Sequence, residues 1–315
     1  MEEKYLEYIT VQRRYSGRTA ELYRSAIEGF CEFAFPEEAL PLPDDKLKEA
    51  LTPTLIRGFI AKGLEAGLSP RTMNLRLSAL SSFCNWLVRS GFLESNPVRK
   101  VYRPKEDHPL PQFYTQPSMD ALLEKEEETA QQEATAAEDG KEPFARLRER
   151  MIILTLYATG MRRAELCGLK VSDFDRDRQV IRVTGKGDKT REIPIPDRIC
   201  QELLLYLNRR EDEFAGGNGG WFFVTDSGRQ LYPQFVNNLV RKALEGEEGF
   251  SGKKSPHVLR HSLATHLLNN GADINSIKEV LGHANLAATQ VYTHNSFEQL
   301  KSTYLTAHPR AKKRR

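Results

Sequence analysis

Six side chains in the second half of a 315-residue chain have the types that phosphate chemistry requires: Arg162, Lys186, His257, Arg260, His283 and Tyr292. A phosphodiester is an anion, so a nucleophile approaching its phosphorus needs that repulsion offset and the developing charge held. Arginine suits this task, because its planar fork donates two hydrogen bonds to two oxygens and stays charged at any working pH. Two arginines from separate parts of the chain would clamp a pentacoordinate phosphate much as a metal does, with preorganised electrostatics as the main source of rate. No metal or other cofactor is then required. Lysine and histidine supply protons and hydrogen bonds. A tyrosine phenol, with a pKa of about 10, leaves far more readily than an aliphatic alcohol, so an ester through it keeps the energy for religation.

The six residues sit in short phrases. Arg162 lies in Thr159-Gly160-Met161-Arg162-Arg163-Ala164-Glu165-Leu166, Lys186 in Gly185-Lys186-Gly187, and His257 and Arg260 in His257-Val258-Leu259-Arg260-His261. Leu281-Gly282-His283 leads after nine residues to Tyr292, followed by Thr293-His294. In this order the phrases closely resemble the signature of the tyrosine site-specific recombinases, the phage-integrase superfamily. The resemblance implies that Tyr292 attacks DNA to give a 3′-phosphotyrosyl link and that Lys186 protonates the leaving 5′ oxygen. It also implies that His257 and His283 hold the phosphate or assist proton movement at Tyr292. Glu165, three residues after Arg162, is placed to brace it, and His261 is assigned a supporting hydrogen-bonding role. Arg163 and Lys189 are neighbours able to compete for the roles of Arg162 and Lys186. Tyr304, Tyr232 and Tyr157 are rival phenols, but none stands nine residues after the histidine of a Leu-Gly-His phrase.

Residues 1–103 read as a helical module. Ser16-Gly17-Arg18-Thr19 precedes an amphipathic run with Leu22, Ile27, Phe30 and Phe33 as its apolar stripe. A short helix is expected from Leu55 to Leu64, and a longer one from Ser69 carries Met73, Leu75, Leu77, Leu80, Phe83, Trp86 and Leu87. Asn96-Pro97 closes the module, because a residue before proline is pushed out of helical geometry. Prolines 104, 109, 111 and 117 mark a linker over 104–118. The second domain, 119–307, is expected to be mainly helical with a small antiparallel sheet. Residues 179–184 and 190–195 alternate around the Gly185–Lys189 turn as a β-hairpin with Lys186 at its tip. Trp221 to Val224 is a further strand candidate. Helices are expected over 234–244, 257–269, 274–281 and 286–292. The resemblance adds that the first domain is an all-α, SAM-like core-binding domain and the second an α+β catalytic domain. It makes the protein similar to the Xer type, since the core-binding domain starts almost at residue 1 and leaves no room for an arm-binding domain.

Composition is that of a globular protein, with 39% hydrophobic and 28% charged residues and a formal charge of +3. No run reaches the roughly 18 apolar residues of a membrane span, and Glu2 and Glu3 do not suit a secretory leader, so a cytoplasmic chain is expected; the resemblance implies that it is nucleoid-associated. Charge is uneven. An acidic insert over 121–141, rich in glutamate, reads as a loop or extended helix, and 308–315 form a basic tail. Cys31, Cys84, Cys167 and Cys200 form no Cys-x-x-Cys pair and read as buried thiols. Three decoys can be set aside. The acidic run from Asp173 has Arg178 where a calcium loop turns on glycine, Gly187-Asp188-Lys189-Thr190 has Asp188 where a P-loop has glycine, and Arg260 between His257 and His261 would repel zinc.

The partner implied by the resemblance is double-stranded DNA with a specific core site, gripped on the N-terminal side by Arg71, Asn74 and Arg76. It also implies a homo- or hetero-tetramer on two DNA sites. The helix from Asn295 to Ala307, with Phe297, Leu300, Tyr304 and Leu305 on one stripe, would dock either in a neighbouring subunit or on its own domain. A DNA translocase is a further partner consistent with the Xer type. Chromosome dimer resolution is the leading function. Integration or transposition of a mobile element, type IB topoisomerase activity and DNA binding without catalysis are the alternatives.

Overall fold

The computed structural model describes residues 1–106, 113–137, 140–185, 189–214, 219–246, 252, 254–282 and 294–310, the side chains of 294–299 excepted. The chain divides into two compact units, Met1–Pro109 and Leu110–Arg315.

The first unit is helical: α1 (Glu2–Glu7), α2 (Gly17–Ala34), α3 (Asp44–Ala50), α4 (Pro53–Glu65) and α5 (Pro70–Arg89). Three of its helix starts, those of α2, α4 and α5, follow from side-chain caps. Ser16, Thr52 and Ser69 accept hydrogen bonds from the backbone N–H groups of Thr19, Leu55 and Thr72, each worth about 1 kcal/mol. Proline follows directly at positions 53 and 70, where no backbone N–H is needed. The core forms around Ile27, Phe30, Phe59, Met73, Leu80 and Phe83. Leu22 and Leu75, expected on the buried stripes, face solvent. Leu22 lies five residues before Ile27 and Leu75 two before Leu77, offsets of roughly 140° and 200° around a helix with 3.6 residues per turn. Asn96 is buried yet satisfied: its amide N–H groups reach Ser81 and Asn85, and its Oδ1 accepts from the backbone N–H of Val98.

The second unit begins with α6 (Gln116–Ala136), which answers the loop-or-helix alternative for the acidic insert in favour of helix. Met119, Leu122 and Leu123 are buried beneath it, while Glu126 pairs with Arg146 and Glu127 with Arg198 and Arg310. Then come α7 (Phe144–Thr159), α8 (Arg163–Cys167) and an antiparallel sheet in the order β1 (Phe174–Asp175), β2 (Val180–Thr184), β3 (Thr190–Pro194). The β2–β3 hairpin runs in register from Val180↔Pro194 to Thr184↔Thr190. Its loop is closed by the Gly185 N–H on the Lys189 carbonyl at 2.9 Å. The segment from Trp221 to Val224 makes only isolated bridges, to Lys170 and Gln230, and is not a strand. Phe222, Phe223 and Val224 are buried consecutively, so the run is apolar because it fills the core rather than because it alternates. The remaining helices are α9 (Asp197–Phe214), α10 (Pro233–Ala243), α11 (Pro256–Asn269), α12 (Ile274–Leu281) and α13 (His294–Ala307). The helix expected over 286–292 lies outside the described residues.

All four thiols are free and buried, and burial pushes Cys31 and Cys84 up to about 12 and Cys167 to about 11. Nothing in the described helices is long and apolar enough to cross a membrane.

Of the two places open to the C-terminal helix, the single chain uses its own unit. Leu300, Tyr304 and Ala307 of α13 join the core. The Tyr304 hydroxyl and His308 Nε2 both donate to the carbonyl of Ala158, and Asn270 Nδ2 donates to that of Ala307. His308 also accepts from the Arg310 N–H at Nδ1, so it is held neutral, with its proton on Nε2. Burial lowers its pKa from 6.5 to about 4. Above pH 6.5 neither the folded nor the unfolded chain protonates this ring, and its contribution is complete. Below that pH the unfolded chain takes up a proton that the folded chain refuses, so stability falls. The cost between pH 6.5 and 5 is about 2 kcal/mol. The urea midpoint is therefore expected to drop across this interval in the wild type and to drop less in His308→Asn; equal slopes would refute the assignment.

Candidate active site

The core of the site is a carboxylate shared by two arginines. Arg162 immediately precedes α8, and its backbone N–H donates to Glu165 Oε2 at 2.7 Å, capping the first turn. Its Nη1 donates to Glu165 Oε1 at 3.0 Å. Arg191 of β3 meets the same carboxylate in a bidentate fork, Nη1 to Oε1 and Nη2 to Oε2, both at 2.9 Å. Glu165 thus accepts four hydrogen bonds while almost wholly buried. Burial alone would raise its pKa, but the bonds from Arg191 and from the Arg162 N–H outweigh it and hold the carboxyl below its ordinary range.

The second organising element is the C-terminal end of α12. The last carbonyls of a helix have no partner within it, and here three in succession are taken by three arginines from three elements. Val280 O accepts from Arg191 Nε at 2.7 Å, Leu281 O from Arg260 Nη2 at 2.5 Å, and Gly282 O from Arg162 Nη2 at 2.8 Å. A helix C-terminus carries partial negative charge, which favours this gathering of cations. Arg260, on α11, is buried and also donates Nη1 to Gly160 O at 2.6 Å. Gly160 ends α7 in the left-handed region at φ 58°, and a Cβ there would lie 2.5 Å from Leu281 Cδ2. Only glycine provides both the turn and the close approach that bring its carbonyl to Arg260.

The result is an excess of positive charge. Burial, then the fields of Arg162 and Arg191, pushes Arg260 down to about 10, so it remains charged at neutral pH. Partial desolvation lowers the pKa of His257, and His261, Arg163, Arg260 and Arg162 lower it further. Six basic side chains, Arg162, Arg163, Arg191, His257, Arg260 and His261, are linked by these fields and bonds, and Glu165 is the carboxylate described among them, already bound by two arginines. Among the described residues, the side chains of Arg163, His257 and His261 make no hydrogen bond or ion pair. Arg162 keeps 38% of its side-chain surface open. Arg162 and Arg260 each spend two of five N–H donors within the protein, leaving three for a ligand. Such a cluster is built for an anion.

The match to known proteins runs along almost the whole chain. Residues 124–299 match the phage integrase family and residues 3–91 the N-terminal SAM-like domain of phage integrases. Tyrosine recombinase XerC of Chlorobaculum parvum is 33% identical over 318 residues, spanning 98% of this chain and 94% of that protein. XerC of Bacillus licheniformis is 36% identical over 312 residues, spanning 98% and 96%. The chain belongs to the phage integrase family, among the Xer-type tyrosine recombinases. Members of known structure share its fold. The recombinase XerH, solved bound to its difH substrate before cleavage, superposes with a TM-score of 0.66 at 23% identity over 95% of this chain and 82% of that one. The Tn1549 transposon integrase, solved with transposon right-end DNA, gives 0.66 at 19% identity over 96% and 97%.

The structure brings together Arg162, Glu165, His257, Arg260 and His261 of this phage integrase family member. Lys186, His283 and Tyr292 lie outside the described residues, although the flanking hairpin strands and Gly282 are described. In the first unit, α5 carries Arg71, Asn74 and Arg76. Arg71 is exposed, and Arg76 lies over the Phe59 ring at 5.9 Å. Asn74 gives its amide N–H groups to Pro104 O at 2.9 Å and Glu106 Oε1 at 2.7 Å. The residue that motif reading missed is Arg191. Its signal was present: it alternates with Ile193 on the face of β3 and stands opposite Val183, both buried, where a strand pointing into a core does not ordinarily carry a charge.

Proposed function

We propose that this protein cuts and rejoins DNA at a specific core site through a 3′-phosphotyrosyl intermediate, without metal or ATP, and that its role is chromosome dimer resolution. The observation that carries the reading is the convergence of Arg162 and Arg260, from separate elements, on the adjacent carbonyls of Gly282 and Leu281, with donors to spare and no free carboxylate among the described residues of the site. Their remaining N–H groups hold the non-bridging oxygens of the scissile phosphate and the charge that grows on them. Tyr292 attacks phosphorus, its proton passing toward His283 or His257. The P–O5′ bond breaks, and Lys186 protonates the leaving oxygen. Rejoining is the reverse, with a free 5′ hydroxyl attacking the phosphotyrosine. Support for the chromosomal role comes from the XerC relatives that match this chain nearly end to end.

Arg71, Asn74 and Arg76 contact DNA from the core-binding domain in this reading, and Asn74 must first give up its bonds to Pro104 and Glu106. Tetramer formation on two sites by exchange of α13 requires that helix to leave Leu300, Tyr304 and His308 without their present partners. A nicked suicide duplex carrying the core site, incubated with protein in EDTA and without nucleotide, is expected to yield an SDS-resistant adduct joined through a 3′ phosphate. Absence of the adduct, or its appearance only when magnesium is supplied, would reject this mechanism.

A further inference from the structure

We infer that Arg191 is a positioning residue of the strand-exchange reaction, fixing the Arg162–Glu165 pair and tying the hairpin that bears Lys186 to the carbonyl end of α12. The inference rests on the phosphate-binding role proposed for Arg162.

Arg191 spends all three of its nitrogens inside the site: two on Glu165 and one on Val280 O. Its side chain is only 13% exposed, so it has little surface left for DNA. It acts on Arg162 in two ways. Through Glu165 it fixes the carboxylate that orients the Arg162 guanidinium and caps the turn from which Arg162 projects. It also draws part of the Glu165 charge, so that Arg162 is not fully neutralised and remains able to bind phosphate. The third bond sets the distance between β3 and the α12 terminus, whose next two carbonyls hold Arg260 and Arg162. The packing here is close. Gly282 is left-handed at φ 66°, and a Cβ on it would stand 3.0 Å from Arg191 Nη1. A Cβ on Gly185 would lie 3.5 Å from Glu165 Oε1 and 3.8 Å from Arg191 Nη1. The two glycines next to Lys186 and His283 in sequence are thus fitted around this guanidinium.

Charged groups facing Glu165 are Arg162 from its own turn, Arg191 from β3 and Arg260 from α11. Removing Arg191 takes away two of the four hydrogen bonds on the carboxylate, so Glu165 must protonate at higher pH. Arg191→Ala and Arg191→Lys are compared with wild type in single-turnover cleavage of the nicked substrate, with binding to the intact core site measured separately. Binding is expected to be unchanged. Cleavage is expected to slow by about 10- to 100-fold, the usual effect of a loosened reactive geometry, and the acid limb of the pH–rate profile is expected to move to higher pH. Lysine keeps the charge but not the fork, so it restores at most part of the rate. A folded Arg191→Ala protein that cleaves at the wild-type rate overturns the inference. So does a slowed variant whose acid limb has not moved, because a merely structural loss would leave the profile in place. If Arg191→Ala does not fold, wild-type rate and profile in Arg191→Lys overturn it equally. Failure of the wild type to form any adduct removes the underlying reading of Arg162 instead.

Discussion

Replacing Tyr292 with phenylalanine is expected to abolish the covalent DNA adduct while leaving binding to the core site intact. The substitution removes one oxygen, the atom that would bond to phosphorus, and keeps the ring. The rival phenols differ in how far the fold permits them to act. Tyr304 is buried, its hydroxyl donated to Ala158 O, and desolvation raises its pKa. Tyr157 is equally buried. Its hydroxyl lies 2.8 Å from His266 Nδ1, and because His266 Nε2 must donate to Tyr114 O at 2.8 Å, Nδ1 accepts and the Tyr157 proton is committed. Neither phenol can reach a phosphate without opening the core. Tyr232, 54% exposed just before α10, is the accessible alternative. Tyr232→Phe is therefore the control, expected to form adduct normally on the nicked duplex. Adduct formation by Tyr292→Phe together with its loss in Tyr232→Phe would reassign the nucleophile.

Arg260→Ala is expected to slow adduct formation by about 10³-fold, the upper range for deleting one preorganised donor to a developing oxyanion. Two effects combine here. The phosphate loses a buried cation from a low-dielectric setting, where its field is strongest. The carbonyls of Gly160 and Leu281 also lose their donor, and each buried acceptor left unsatisfied costs about 1–3 kcal/mol. A lower melting temperature should accompany the loss of rate. Arg260→Lys separates the two effects: it keeps the charge and can satisfy one carbonyl, so it should recover stability more than rate. Near-wild-type cleavage by Arg260→Ala would show that Arg162 alone carries the phosphate and that Arg260 serves the fold.

In the first unit α2, α4 and α5 were legible because local chemistry writes them: a serine or threonine cap, a proline after it in α4 and α5, and an apolar stripe; the short α1 and α3 have no side-chain cap and were not read. The exposed Leu22 and Leu75 show where this reading loosens, since an apolar residue is assigned to a stripe by eye but to a face by angle. The β2–β3 hairpin was equally legible from its alternation and its Gly-Lys-Gly-Asp turn. Trp221 to Val224 was not, because a short apolar run has the same appearance whether it pairs as a strand or fills a core. The two-residue strand β1 carries too little local signal to be separated from a loop, whereas α9 went unread although Ile199, Cys200, Leu203 and Tyr206 recur at helical spacing along it.

For the site, the sequence by itself determined which residue types are present and in what order: the arginines, histidines, lysine and tyrosine in their phrases, and Glu165 three residues beyond Arg162, where one helical turn brings it back to that residue. Spacing within one element is set by the covalent chain, and motif reading recovers it for that reason. Only the tertiary structure decided that Val280, Leu281 and Gly282 present three consecutive carbonyls to Arg191, Arg260 and Arg162, and that Arg191 shares Glu165 with Arg162 from 26 residues away. Those contacts join β3, α8, α11 and α12, and they depend on how a helix end with unpaired carbonyls packs against a sheet. Backbone acceptors are the same at every position in a sequence. What makes three of them a platform for arginines is their burial at one helix terminus, which only folding creates.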